Sequence, residues 1–270
     1  MSAALVTTAQ DAIDFFTLSL GAKRALEGWR SRRPHVTERV MQHKSQAVYQ
    51  VRSVDVRELV SEHALSSIRP DQGYKIKRIR DWYPDFAFTH IFHFLLEARG
   101  RAYSYEELRD MCLEPPWRPL LADPAQQKVL EAVREGYSED DARTAMRWRV
   151  GLAYYSFMRE LYTVAKLREH GLDMRVHPLA DALFRADAWC ANTVFSLYVR
   201  NKVFRDGAYG RKPAVEELLG PGRPELRFVA LQMETQHDWG RVHLPSDEEI
   251  LQCAEQIGDT GTVPEDGMPR

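Results

Sequence analysis

Cysteine is scarce in this chain. Its 270 residues include three, Cys112, Cys190 and Cys253, odd in number and far apart. Neither a disulfide framework nor a paired-cysteine zinc site is expected, and a reducing cytoplasm is the compartment that fits. Long apolar runs are also missing: no stretch approaches the roughly 18–20 residues of a membrane helix, and Met1 to Thr8 lacks a basic region followed by an apolar one. A membrane partner or an exported protein is therefore not expected. No Gly-rich phosphate loop, no Gly-x-Ser-x-Gly elbow and no kinase or deaminase motif occurs, which removes the commonest enzyme classes. Internal repeats are absent as well. Lysine is short too: of 37 basic residues, 8 are Lys and 29 Arg. Arginine favours planar two-point contacts to phosphate, but genome composition produces the same bias, so it decides nothing.

What is present reads as globular. The chain is 44% hydrophobic and 28% charged, and its length allows one large or two modest cores. The net charge of −2 conceals an uneven distribution. Lys23 to Lys44 carries seven bases against two acids, Lys75-Ile76-Lys77-Arg78-Ile79-Arg80 is a dense basic run, and Pro245 to Arg270 carries seven acids against one base. Basic surface gathered in the first half is the footprint expected for a nucleic-acid partner, with Trp29-Arg30-Ser31-Arg32-Arg33 and Lys75, Lys77, Arg78 and Arg80 as candidate phosphate contacts. A solvated helix end and a charged edge strand fit the same two runs.

The stretch from Glu160 to Lys202 carries most information. Leu161, Val164, Ala165 and Leu167 recur at helical spacing up to Gly171, a capping position. Met174 to Pro178 is extended, Leu183 to Trp189 leads to a turn at Ala191-Asn192, and Val194 to Arg200 alternates as a returning strand. The order is helix, strand, hairpin.

That order, with an acid on the helix and another near the turn, resembles the core of the PD-(D/E)XK nuclease superfamily, particularly its small junction-resolving members, over Phe157 to Leu219. The resemblance implies that Glu160 and Asp187 hold a divalent metal, Mg²⁺, beside a scissile phosphate. Carboxylate oxygens suit such a hard cation, and a nearby Lys helps to activate water. Where the family carries Glu-x-Lys, this chain has Tyr198-Val199-Arg200, or Arg200-Asn201-Lys202 in a shifted register, so Arg200 and Lys202 are the remaining catalytic candidates. With one carboxylate missing, the sequence favours a degenerate, DNA-associated protein over a Mg²⁺-dependent DNA endonuclease. In that version Glu160 or Asp187 pairs with Arg185 or Arg200. Such a subunit would belong to a mobile-element or defence system. The alternative from another class is a structural or adaptor subunit of a larger protein or nucleoprotein complex, binding other protein subunits.

The rest of the chain reads as follows. Thr8 to Arg30 is expected as one helix ended by Pro34, Val36 to Val60 as one or two strands, and Lys75 to Trp82 as a strand. Thr89 to Cys112 gives two helices around Gly100, the second opened by a capping box of Ser104 and Glu107. This pair resembles a helix-turn-helix, with Arg101 in its turn as a further DNA contact and Tyr103, Tyr105, Glu106 and Arg109 near an exposed helix start, although its acids repel phosphate. His90 and His93 stand at a spacing that metal ligands use, but without an evident third ligand they are expected as buried or capping histidines. Four prolines between Glu114 and Pro124 mark a boundary. It separates a mainly helical, basic domain (1–120) from a mixed α/β nuclease-like domain (125–257) with a small sheet and a disordered acidic tail (258–270). There, Ala125 to Glu135, a helix opened by Ser138 that runs on or breaks near Gly151, Arg211 to Leu219 and a last helix after Pro245 are expected as helices; Glu225 to Met233 and Gly240 to Leu244 are expected as strands. The fold class is α+β.

Overall fold

The computed structural model describes residues 5–59, 64–65, 67–200, 215–219, 225–234 and 242–258, and the side chains of Arg200 and Glu234 lie outside that description. In chain order the first elements are β1 (Thr7–Thr8), α1 (Ala9–Phe16), α2 (Leu20–Arg32), α3 (Pro34–Gln42), β2 (Lys44–Ser45) and α4 (Ser53–Glu58). They are followed by α5 (Pro70–Gly73), α6 (Lys77–Arg80), α7 (Phe88–Arg99), α8 (Tyr105–Met111), α9 (Ala122–Arg134) and α10 (Glu139–Glu169). The hairpin of β3 (Ala188–Cys190) and β4 (Thr193–Arg200) comes next, then α11 (Val215–Leu219), β5 (Arg227–Glu234) and α12 (Asp247–Gly258). The chain is α+β and chiefly helical, with two small sheets among the described residues.

Several elements follow from local chemistry. Ser138 caps α10 by accepting from Asp141 N at 3.1 Å, and three acids in the first turn favour that helix end. Ser104 and Glu107 form the expected reciprocal capping box, and Gly100 closes α7 at φ 69°. Ser246 opens α12 in the same way, accepting from Glu249 N at 3.2 Å. β3 and β4 pair antiparallel around the Ala191-Asn192 turn, and β5 adds parallel to β4, with Thr193 opposite Arg227 and Arg200 opposite Glu234.

Other expectations are overturned. The helix predicted over Thr8–Arg30 is two, because Thr17 folds back onto Ile13 O and Ser19 accepts from Ala22 N to start α2. Pro34 opens α3 instead of ending a helix, since its missing N–H is not needed at the first helical position. The strands predicted within Val36–Val60 and over Lys75–Trp82 are replaced largely by α3, α4 and α6. Val36 and Val40 are buried one helical turn apart, and Ile76, Ile79 and Trp82 recur every third residue towards the core. In the α7–α8 pair, Tyr103 and Tyr105 are buried, where an exposed helix start was expected; Tyr103 donates to Phe92 O at 3.0 Å. Residues 242–244 form no strand, while residues 240–241, 211–214 and 259–270, on which the rest of that strand, the start of a helix and the tail were expected, lie outside the described residues.

The centre of the fold is α10, whose 31 residues run unbroken past Gly151. Gly151 does not end the helix because its bare face admits the Ala64–Leu65 segment; a Cβ there would stand 2.7 Å from Leu65 Cδ2. Helices α4, α5, α6, α7, α9 and α12 all pack on α10. One cluster of buried side chains extends from Ala9 to Ile257 and includes Leu120 and Leu121 of the proline-rich stretch.

Gly73 on α5 lies so close to α10 that a Cβ would fall 2.1 Å from Trp148 Cγ. Gly73→Ala should therefore cost about 2–3 kcal/mol by forcing the indole aside, read as a lower urea midpoint with an unchanged slope. Residues 125–270 alone keep α10 but lose its cover of α4 to α7. We expect this fragment to lack a cooperative thermal transition, and a sharp one would establish the division at the prolines.

Candidate metal centre

Three carboxylates converge where α10 passes the hairpin. Glu160 belongs to the inward face of α10, between Phe157 and Val164, and is 9% exposed. Asp187 immediately precedes β3; its N donates to Phe195 O at 3.0 Å and its Oδ2 accepts from Leu197 N at 2.5 Å, so β4 holds it at two points. Asp181 comes from a π-helical turn, Ala180–Phe184. That turn starts where Leu179 N donates to His177 Nδ1 and ends at Arg185, whose φ is 60°. Phe184 is fully buried and stacks on Phe16 of α1 at 5.1 Å, which pins the turn. One oxygen of each of Glu160, Asp181 and Asp187 lies within 4.8 Å of the other two.

The surroundings oppose ionisation. Burial, and then the charge of Asp181, push the Glu160 carboxyl well above its ordinary range. Burial also raises Asp187, helped by the charges of Glu160 and Asp181 and opposed by the Leu197 N–H. On the α7 side stands His93, buried, with Nε2 3.9 Å from Glu160 Oε1. Burial lowers its pKa to about 4 against the pull of Asp181 and Glu97, so the imidazole is neutral at pH 7. Three more buried histidines lie in the same interior. His43 falls to about 2, His90 to about 3 and His177 to about 4, each chiefly through burial. His90 Nδ1 accepts from Ala87 N at 3.2 Å, the capping role expected of it.

The donor set suits a hard divalent cation. With metal–oxygen bonds of about 2.1 Å for Mg²⁺ and about 2.4 Å for Ca²⁺, opposite ligands lie roughly 4.2–4.8 Å apart. Oxygens no more than 4.8 Å apart lie within about 2.8 Å of a common centre, so each needs to move by at most about 0.7 Å to reach Mg²⁺ and about 0.4 Å to reach Ca²⁺.

Of the residues singled out from the sequence, Glu160 and Asp187 meet. Lys202 and the side chain of Arg200 lie outside the described residues. Asp181 escaped sequence reasoning; its only trace is that Ala-Asp-Ala occurs at 180–182 and again at 186–188. The basic candidates divide. Lys75 pairs with Asp141, Arg78 with Glu131 and Glu135, Arg80 with Asp81, Arg101 with Glu107, and Arg33 with Asp85. Arg30 and Arg32 are exposed on α2 with Lys23 and Arg24, and Lys77 is exposed on α6. No family model, curated protein or solved structure matches the chain.

The pH dependence of stability follows from these shifts. Above the unfolded carboxylate pKa of about 4, the unfolded chain has lost protons that the folded site retains, so stability falls as pH rises through that window. The histidines act at the other end: below about 6.5 the unfolded chain takes up protons that the buried rings refuse, so stability also falls towards acid. In metal-free protein, Asp187→Asn should match the parent at pH 4 and exceed it by about 1–2 kcal/mol at pH 8. Urea midpoints at pH 4, 6 and 8 check this, and a pH-independent difference would contradict it.

Proposed function

We propose that this chain is a divalent-cation-dependent phosphodiesterase acting on nucleic acid, with Glu160, Asp181 and Asp187 as its carboxylate ligands. The observation that carries the reading is the convergence of these three side chains, from three separate elements, within 4.8 Å. A bound cation supplies Lewis acidity towards a phosphodiester oxygen and a water of lowered pKa. The chain's own groups set the stage: Leu197 N–H fixes the Asp187 carboxylate, α10 carries Glu160 on its buried face, and the pinned turn presents Asp181. The order of helix, hairpin, helix and parallel strand is in keeping with the PD-(D/E)XK resemblance, and Asp181 offers the third carboxylate that Tyr198 and Arg200 do not. DNA is the expected substrate.

The approach of a phosphate backbone is better suited to α2 than to α6. α2 packs against the turn that carries Asp181, and its Lys23, Arg24, Arg30 and Arg32 form no ion pair among the described residues. The cations of α6 are largely matched by acids. In addition, Arg149 Nε donates to Trp82 O just after α6, and Arg149 lies about 16 Å along α10 from Glu160 at 1.5 Å per residue.

Purified protein incubated with plasmid and single-stranded DNA should cut in Mg²⁺ or Mn²⁺ and stop on chelation. Asp181→Asn and Asp187→Asn should each lower the rate by about two orders of magnitude or more while remaining folded. Salt-sensitive binding without cutting by either ion would replace this reading with the non-catalytic one, which Tyr198 and Arg200 favour.

A further inference from the structure

Arg39 of α3 is a half-buried cation without a protein acceptor. Its guanidinium carbon lies 5.2 Å from the ring centres of Phe94 and Trp117 and 6.0 Å from that of Phe86, each within reach of a cation–π contact. The rings come from α7, the proline-rich stretch and the segment before α7, so packing alone assembles the cage. The three other arginines so stacked among the described residues also donate to a neighbour: Arg57 to Tyr162 Oη, Arg149 to Trp82 O and Arg168 to Met174 O. Arg39 makes no hydrogen bond or ion pair among the described residues, and burial lowers its pKa with no acid pulling the other way. Two acids near the cage rings in sequence are engaged elsewhere. Asp85 pairs with Arg33 and His35, and Glu97 accepts from the N–H groups of Gln46, Ala47 and Val48. The guanidinium is thus fixed by stacking while its N–H donors lack acceptors.

We propose that Arg39, in its cage of Phe86, Phe94 and Trp117, is a phosphate subsite for a nucleic-acid strand, separate from the carboxylate cluster. A planar guanidinium offers two parallel N–H donors to the two free oxygens of a phosphodiester, and stacking removes rotamer freedom that the contact would otherwise cost. α2 connects the two places. Near its start Gly21 faces α11, a Cβ there standing 3.9 Å from Leu218 O, and α11 packs on the turn that carries Asp181. Near its end Trp29 lies 6.3 Å from His90 of α7, and Arg33 just beyond it pairs with Asp85, the neighbour of Phe86. The helix has 13 residues, about 20 Å at 1.5 Å each, and exposes Lys23, Arg24, Arg30 and Arg32 along that length with Glu27 as its one acid. A duplex strand lying along α2 from the carboxylates reaches Arg39 after about six nucleotides, at about 3.4 Å each. That row of cations favours a polyanion over the single carboxylate of a peptide. The proposal takes its ligand from the nucleic-acid reading and does not depend on the metal.

The test follows, by anisotropy, the binding of a fluorescein-labelled DNA strand of about 20 nucleotides, alone and as a duplex, to the full chain in chelator over a series of salt concentrations. Arg39→Gln should lose about tenfold or more in affinity, the worth of a charged hydrogen-bonded contact, and the slope of log K against log salt should become shallower by about 0.7–0.9, the counterion of one phosphate. Arg39→Lys, which keeps the charge and loses the two-point fork, should recover the parent's slope but not its affinity. A further measurement needs no variant: saturating DNA should shield Arg39 of the parent from phenylglyoxal, read by mass spectrometry of the modified peptide. Parental affinity and slope in Arg39→Gln, or an unshielded Arg39 in the DNA-bound parent, overturns the proposal and leaves the carboxylate reading standing. Shielding by a peptide that ends in a free carboxylate, and not by DNA, overturns it in favour of a protein partner. A parent that binds no DNA at low salt removes the nucleic-acid reading of the whole chain, and this subsite with it.

Discussion

The constraint on which the molecule depends is the burial of α10. Helices α4, α5, α6, α7, α9 and α12 pack on it, so apolar side chains occupy nearly every side of a 31-residue rod. Two glycines make this possible: Gly73 lets α5 approach Trp148, and Gly151 lets the Ala64–Leu65 segment cross the helix. Any polar group on the inward faces of such a helix must find partners inside the protein. Most do, as when Tyr154 donates to Tyr103 O at 2.9 Å. Glu160 does not resolve so simply, and its partners are two more acids and a neutral histidine.

Charge in that interior is balanced in an unusual direction. Burial raises the carboxyls and lowers the histidines, so both kinds of group tend towards neutrality in the absence of a cation. Such an arrangement is costly as a purely structural feature, because apolar side chains of similar volume would fill the space without desolvating charge. It becomes reasonable if the acids are kept for an ion. The same argument separates them from the surface pairs such as Lys75–Asp141 and Arg80–Asp81, whose exposed partners contribute little individually.

The legible parts of the fold were those set within a few residues. Capping by Ser104, Ser138 and Ser246, closure at Gly100 and Gly171, and the turn at Ala191-Asn192 all depend on local backbone groups. The misread parts are short segments whose pattern suits either period. Valines between Val36 and Val56 and the alternation from Lys75 to Trp82 look like strands, but in stretches this short the apolar residues also recur every three or four positions, and packing chose that period. The basic run shows the same limit: Lys75, Arg78 and Arg80 stand beside Asp141, Glu131, Glu135 and Asp81, a placement that no local pattern encodes.

By itself the sequence determined the α+β class, the helix ending at Gly171, the hairpin after it, and the choice of Glu160 and Asp187 as acids worth watching, because each depends on local spacing and capping. Tertiary structure alone decided that those acids meet, that Asp181 joins them, and that His93, 67 positions before Glu160, faces the group. The physical reason is that a site of this kind is defined by separations of less than about 5 Å between side chains on α10, a π-turn and a hairpin. No periodicity within one segment encodes a distance to another; only the packing of α10 against its neighbours sets it.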